Sequence, residues 1–563
     1  MTWRAVRAFL RERTVGGVTP SPLHRPPIIL ELDLTQPLVD PPPGDPLGQL
    51  RSRGRHQLRP TLRALHEAAD DPRVVGLVAK VGGPMSWSTM HELHRGLQPF
   101  LDARKPTIAW AETFLDGPIG TCAYVLAAGF DEIWLQPGGG VGLLGVAVET
   151  TFLRGAFDKL GIEPQLEQRH EYKNAADRFM RTELTDAHRE ALDALAASVF
   201  ADALAIVGAG RSMTPERVRE LVDSGPRTAA EAHDARLVDR LGYRDEVLAA
   251  LRERVGASDA ELLFADRWKP RHRFRLPARH RQHLALVEVR GGIASGRSRP
   301  GPMGGQVGSD TVAAELRAAL DDDRVRGVVL HVESPGGSAV ASEVIWREVG
   351  RVREAGKPVV ASMGDVAASG GYYVSCPADR IVALPSTLTG SIGVLGGKFV
   401  TSGLLAKLGL TEGSVQQGER ARMWSARRGF SDEEWERLNA EMDAIYTDFV
   451  GKVAAGRGRS VAEIEPLARG RVWSGRDAYE NGLVDDLGGL RDATRIARRL
   501  AELPDDAPLQ PAVRVPLPAR LVPPRNSDDP RALLAGSAPS LRDLTGLAGP
   551  SGVELRMIDV RLR

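Results

Sequence analysis

Three short stretches of this sequence carry residues suited to acyl-transfer chemistry. The first is GDVAASGGYYVS (364–375), in which Ser369 stands ahead of Gly370 and Gly371. An apolar run leads into Ser369, and a helical pattern carrying Tyr372, Tyr373 and Val374 leads away. That places the hydroxyl at a strand-to-helix junction, exposed at the edge of a sheet, with the N–H of Gly370 able to join an oxyanion site. The second stretch is HVESPGGSAVASEV (331–344). A buried strand is expected to end at Val332, Ser334-Pro335 to turn the chain, and Gly336-Gly337 to precede a helix starting near Ser338. Two glycines there would present bare N–H groups at a helix N-terminus, where negative charge is favoured. The third is PSTLTGSIGV (385–394), which sets the hydroxyls of Thr389 and Ser391 on a loop. Taken singly, these are ordinary motifs: a helix-capping serine, a tight turn, a turn serine.

A serine nucleophile needs a base. Histidine is the common choice, but His331 is the one histidine within these stretches and its side chain falls on a buried strand. A lysine can serve if burial disfavours its ammonium form, whereas an arginine stays protonated. Lys105, Lys357, Lys159 and Lys407 lie beside Pro or Leu-Gly turns, as surface lysines do. Lys173, in RHEYKNAADRFM (169–180), does not.

What singles out Ser369 and Lys173 is an internal duplication. Asp131-Glu132-Ile133 aligns with Asp379-Arg380-Ile381, and the same gapless register carries Pro137 onto Pro385, Gly142 onto Gly390, Gly145 onto Gly393 and Lys159-Leu160-Gly161 onto Lys407-Leu408-Gly409. In this register Ser369 faces Thr121, which is followed by Cys122-Ala123, and Lys173 faces Ala421. Leu143 faces Ser391, and in the neighbouring block Pro84 matches Pro335 while Met85-Ser86 replace Gly336-Gly337. One copy keeps the serine and the glycines, and the other keeps the lysine. A single active site shared by two duplicated domains would leave this pattern.

The elements around these residues set the fold class. DDPRVVGLVAKV (70–81) matches DDDRVRGVVLHV (321–332), and ARLVDRLG (235–242) matches NGLVDDLG (481–488). Short apolar runs such as IILELDL, VVGLVAKV and KPTIAWAE alternate with helical patterns, and so do LALVEVR, VRGVVLHV and KPVVASMG. Continuous apolar strands separated by helices mean a buried, largely parallel sheet, so the class is α/β in tandem duplicate. The expected domains are 27–255, supplying the lysine, and 283–503, supplying the serine. A basic, Pro-broken linker (256–282) joins them, with flexible tails at 1–26 and 504–563.

Composition narrows the function. Hydrophobic residues at 42%, charged residues at 26% and a net charge of +1 describe a globular chain and give no reason to expect nucleic acid as a partner. Cys122 and Cys376 do not occupy equivalent positions and read as buried apolar residues. No His/Cys cluster has metal-ligand spacing, and no cofactor is called for. GVLGGKF (393–399) imitates a phosphate-binding loop, but Phe399 stands where Ser or Thr is required. Neither a long apolar run nor a secretory leader is evident, so a cytoplasmic or peripheral-membrane location is expected. At the N-terminus, Trp3, Val6, Phe9 and Leu10 would share one helical face flanked by Arg4, Arg7, Arg11 and Arg13, a pattern suited to an anionic membrane surface.

The motifs SPGGS, AASGGYY and STLTGSIGV, with YKNA upstream in a degenerate copy, resemble the double-domain form of the signal peptide peptidase A (protease IV) family, Ser/Lys peptidases with a ClpP/crotonase-like fold. The resemblance runs from about residue 27 to 503. It implies Ser369 as nucleophile, Lys173 as general base, Ser391 as the hydroxyl that orients the lysine, and Gly336, Gly337 and Gly370 around the oxyanion. It also implies a homotetramer that degrades cleaved signal peptides at a membrane. Two other function classes are compatible with the fold. A crotonase-type acyl-CoA enzyme would need a carboxylate base and a CoA pocket, and a catalytically silent scaffold would need neither Ser369 nor Lys173. For a peptidase, Val340, Val394 and Leu395 are expected to line the cleft and favour small or aliphatic side chains.

Overall fold

A computed structural model describes residues 26–40, 54–115, 120–270, 282–299 and 305–513, and the backbone of 552–556. The N-terminal amphipathic pattern and residues 271–281 of the expected linker lie outside these residues.

The first half builds a six-stranded, wholly parallel sheet in the order Arg240–Leu241, Glu132–Leu135, Thr107–Ala111, Val74–Val81, Ile28–Leu34, Glu261–Phe264. Its central strands Val74–Val81 and Thr107–Ala111 are buried along most of their length because helices cover both faces. On one side the helix Trp87–Asp102 contributes Met90, Leu93, Leu97 and Phe100 to the larger core. On the other the helix Arg244–Arg254 contributes Val247, Leu248 and Leu251.

The second half repeats the plan. Val472–Ser474, Leu388–Gly390, Val359–Ala368, Val325–Ser334, His283–Arg290 and Leu509–Pro511 follow one another, with Arg380–Ala383 and Asp486–Leu487 branching from the long third strand. Only the pairing of Leu388–Gly390 with Val472–Ser474 is antiparallel in this sheet. Leu509–Pro511 falls in the stretch expected as a tail, yet it takes the edge of His283–Arg290 just as Glu261–Phe264 takes the edge of Ile28–Leu34.

A third sheet joins the halves. Glu163–Gln168 from the first half runs antiparallel to Leu395–Val400 from the second over six residue pairs. The same sheet continues through Gly552–Arg556, Gly336–Ser338, Gly292–Ala294 and Gln306–Gly308.

The helix Asp186–Arg211 also crosses between halves. It is long and apolar enough to span a membrane, with a mean hydropathy of 1.8 over its best window, a feature the sequence reading had not expected. Its apolar face is spent inside the protein: Leu195, Val199 and Val207 are buried, and such side chains contribute about 1.5–3 kcal/mol each on burial. Its polar residues reach the second half, through Ser198 to Ser474 at 2.7 Å and Glu190 to Arg471 at 2.8 Å.

Candidate active site

Lys173 is delivered by the strand that crosses between the halves. Five residues after Gln168 ends that strand, the chain has been pinned twice to the second half: Arg169 N donates to Val394 O at 2.9 Å, and Tyr172 N donates to Arg469 O at 3.2 Å. The Arg169 guanidinium donates to Asn439 O at 2.7 Å, and Arg469 grips Glu171 with two bonds of 2.9 and 2.8 Å. These contacts leave the Lys173 side chain one direction, into the second half.

Ser369 waits there, one residue past the strand Val359–Ala368 and immediately before the helix Gly370–Ser375. Its backbone is strained, with φ 55° and ψ −114°. Such conformations cost on the order of 1–3 kcal/mol and persist only where the surroundings hold them. Here Ser369 N donates to Gly390 O at 2.8 Å, and Ser369 O accepts from Tyr373 N at 2.8 Å. Ser391, the next hydroxyl, is also held at positive φ (50°), with its N–H donated to Arg471 O at 2.7 Å.

Three side chains from distant parts of the sequence therefore meet. Lys173 Nζ lies 2.8 Å from Ser369 Oγ, 2.9 Å from Ser391 Oγ and 2.9 Å from the Ser391 carbonyl oxygen. All three residues are buried, with exposures of 1%, 0% and 2% for Lys173, Ser369 and Ser391. Burial holds the Lys173 ammonium well below the usual lysine range, because the charged form loses its hydration. A neutral amine within hydrogen-bond reach of a hydroxyl is able to take its proton. The burial of Ser369 corrects the expectation of a hydroxyl exposed at the sheet's edge.

The glycines stand just ahead of a helix, as expected, and in addition pair as a strand. Gly336–Ser338 is a short strand, and the helix Ala339–Glu354 begins only after it, capped by Ser338 Oγ accepting from Ala341 N at 3.3 Å. The N–H of Gly336 is donated to Ser334 Oγ at 3.1 Å, and Ser334 Oγ donates onward to Gly291 O at 2.7 Å. Gly337 and Gly370 face each other closely: a Cβ on Gly370 would stand 3.2 Å from Gly337 N and 3.1 Å from Gly336 Cα. The side chain of Thr389 turns away from the lysine, its hydroxyl donated to Ala367 O at 2.8 Å. Of the residues expected to line the cleft, Val394 and Leu395 are buried and Val340 is 66% exposed.

The matching position in the first half holds no such site. Thr121 Oγ1 donates to Gly142 O at 3.3 Å and accepts from Leu144 N at 3.0 Å, so both hydroxyl functions are engaged locally. Cys122 and Cys376 are both buried and unpaired. Two residues around the lysine were missed from sequence. A Cβ on Gly470 would meet the Lys173 backbone at 2.4 Å, and one on Gly393 would meet Lys173 Cδ at 3.2 Å. The pairing of Gly145 with Gly393 was visible in the repeat, but nothing in the sequence tied either glycine to Lys173.

Known proteins resemble this chain over most of its length. The family model described as Peptidase family S49 matches residues 99–258 and again 351–504. A "Protease 4" from Salmonella typhi is 35% identical over 452 residues, covering 78% of this chain and 72% of the relative. A "Serine protease SPPA, chloroplastic" from Arabidopsis thaliana is 32% identical over 448 residues, covering 78% and 65%. A "Putative signal peptide peptidase SppA" from Enterococcus faecium is 37% identical over 191 residues, covering 34% and 56%. Among solved structures, a ClpP1 mutant from Listeria monocytogenes overlaps with 37% of this chain and 94% of its own, at 14% identity and a TM-score of 0.25.

Proposed function

The chain belongs to peptidase family S49 and is a serine-type peptidase, and on that premise we propose that Ser369 is its nucleophile and Lys173 its general base. One observation carries this reading: an amine from the first half lies 2.8 Å from a hydroxyl of the second, with both groups buried.

In the proposed reaction Lys173 Nζ, uncharged, takes the hydroxyl proton as Ser369 Oγ bonds to the carbonyl carbon of a peptide. The oxyanion is received by the N–H groups of Gly337 and Gly370. Gly336 supports that site through Ser334, since its own N–H is engaged. The Lys173 ammonium then returns its proton to the departing amine nitrogen as the C–N bond breaks, leaving an acyl-Ser369 ester. Water, deprotonated by the same lysine, releases the acid and restores the hydroxyl. Ser391 holds Nζ from two directions, through its hydroxyl and its carbonyl, and fixes the amine on Ser369.

The substrates we propose are cleaved signal peptides and other short peptides. The name of the Enterococcus relative supports this choice, as do the buried Val394 and Leu395 beside the site. A homotetrameric assembly, a cytoplasmic or membrane-peripheral location and contact with a membrane through the N-terminal segment belong to the same proposal. An acyl-CoA reaction is not favoured, because the named relatives are proteases. The test is hydrolysis of casein and of short fluorogenic peptides by the wild type, Ser369→Ala and Lys173→Ala. Activity in the first and its loss in both variants is the expected result, and full activity in Lys173→Ala would show that the base is misassigned.

A further inference from the structure

The sheet that joins the halves is continuous only because one strand from near the C-terminus completes it. Gly552–Arg556 runs antiparallel to Gly336–Ser338 on one side, with Gly336 opposite Arg556, Gly337 opposite Leu555 and Ser338 opposite Glu554. On its other side it runs antiparallel to Leu395–Gly397, with Glu554 opposite Leu395, Val553 opposite Gly396 and Gly552 opposite Gly397. Without it, two strand edges would face each other across a slot two strand spacings wide, about 9–10 Å. Each edge would carry unpaired N–H and C=O groups, which is a template for an added strand. The slot is flanked by Gly336, Gly337, Gly396 and Gly397, so little but backbone meets whatever enters. It is therefore a site for an extended peptide recognised through its main chain.

The slot leads to the candidate active site. Strand Gly552–Arg556 runs C-terminally toward Gly336, whose Cα is 3.1 Å from where a Cβ on Gly370 would stand, and Gly370 follows Ser369. Ser369 itself is fully buried. The other edge of Gly337 is paired with Ile293, so a peptide with its carbonyl carbon on Ser369 and its oxygen toward Gly337 would lie along the edge that this strand occupies.

We propose that residues 552–556 are a tethered ligand of the peptidase groove, bound as an antiparallel strand between Gly336–Ser338 and Leu395–Gly397, where they compete with substrate. The proposal rests on the reading of Ser369 and Lys173 as the catalytic pair. A tethered ligand acts at an effective concentration of the order of 1 mM, so an intrinsic Kd of about 0.1 mM raises the apparent KM about tenfold. Because the competitor binds the free groove, kcat is untouched.

The test compares the full chain with a chain ending at residue 551 in steady-state hydrolysis of a fluorogenic peptide. Truncation is expected to lower KM about tenfold at constant kcat, and the synthetic peptide GVELRMIDVRLR (552–563) to inhibit the truncated chain competitively. Adjacent residues of a strand direct their N–H groups to opposite edges, so the double variant Glu554→Pro/Leu555→Pro in the full chain removes one donor to each edge. It is expected to reproduce the fall in KM. An unchanged KM in both forms overturns the proposal. A second arm needs no catalysis: the same peptide, fluorescently labelled, is titrated into Ser369→Ala protein with and without residues 552–563. Binding at least tenfold weaker to the full chain supports the proposal, and equal binding overturns it. If no form hydrolyses peptides while that binding difference persists, the peptidase reading fails and the tethered strand stands.

Discussion

Gly470 presses directly on the backbone of Lys173. A Cβ at position 470 would lie 2.4 Å from the Lys173 amide nitrogen and 2.5 Å from its Cα, and Gly470 also sits at φ +84°. Its N–H is donated to Ile392 O at 2.8 Å, so the glycine is tied to the loop that carries Ser391. Gly470→Ala must therefore move the lysine or the loop. A displacement of about 1 Å at a catalytic group can cost about 100-fold in rate. The expected outcome is a fall in kcat of that order with a retained circular dichroism spectrum. Wild-type kcat in a folded Gly470→Ala protein would show that the lysine tolerates displacement.

The dyad makes a prediction about pH and rate. Since burial lowers the Lys173 pKa, the amine becomes the free base as pH rises through that depressed value, and kcat/KM should climb with it to a plateau. Ser369→Ala and Lys173→Ala should each lose on the order of 10⁴–10⁶ in kcat, and the double variant little more than either single one, since the two groups act as a unit. Lys173→Arg should be as inactive as Lys173→Ala, because a guanidinium keeps its proton. A pH–rate profile that keeps its limb in Lys173→Ala would assign that limb to another group.

The same burial makes a prediction about pH and stability. A lysine whose folded pKa is depressed holds fewer protons folded than unfolded at any pH between its folded pKa and the ordinary value of 10.5. In that window the unfolded state binds more protons, so stability rises with pH, by up to about 1.4 kcal/mol per pH unit for one group. Below the folded pKa both states are protonated and the slope from this group vanishes. Lys173→Met should remove that contribution. Urea unfolding of the two proteins from pH 7 to 9.5 measures the difference in slope, and parallel curves would mean the lysine is charged in the fold.

The meeting of Ser369 and Lys173 was legible in the sequence because duplication supplied an internal control. Thr121 opposite Ser369 and Ala421 opposite Lys173 show which copy kept which group, and apolar strands such as Thr107–Ala111, buried at every residue, announce a parallel sheet. What was not legible depends on contacts between distant segments. Gly336-Gly337 reads locally as a turn before a helix, but pairing with Ile293 and with Gly552–Arg556 draws it into a strand. The burial of Ser369 and the approach of Gly470 to Lys173 likewise arise only once the halves have closed on each other. The helix Asp186–Arg211 escaped notice as an apolar segment because Glu190, Asp193 and Asp202 interrupt it along the sequence, although Glu190 and Asp202 are matched by Arg471 and Arg476 of the other half.

Gly370 tests the oxyanion side of the site separately from the dyad. A Cβ there would stand 2.7 Å from Ser342 Oγ and 3.2 Å from Gly337 N, so Gly370→Ala pushes on the backbone facing the substrate carbonyl while leaving the Lys173–Ser369 pair chemically complete. Loss of a single oxyanion donor costs about 10²–10³ in kcat. The variant should show a loss of that order with the pH limb unmoved. A shifted limb would mean that the strain reaches Lys173 instead.

Ser391 and Thr389 are two hydroxyls of the loop beside the lysine, and the geometry separates them. Ser391 Oγ lies 2.9 Å from Lys173 Nζ, whereas the Thr389 hydroxyl is donated to Ala367 O at 2.8 Å. Ser391→Ala removes one of the two Ser391 contacts to Nζ and keeps the carbonyl, so the amine is loosened and not freed. The expected result is a fall in kcat of about 10- to 100-fold at unchanged KM, since orientation and not substrate binding is lost. Thr389→Val keeps the shape of the side chain and gives up its bond to Ala367, which should cost about 1 kcal/mol of stability in urea unfolding. Its kcat should stay near that of the wild type. The reverse pattern, with Thr389→Val the slower enzyme, would mean that Thr389 holds the lysine in the working state.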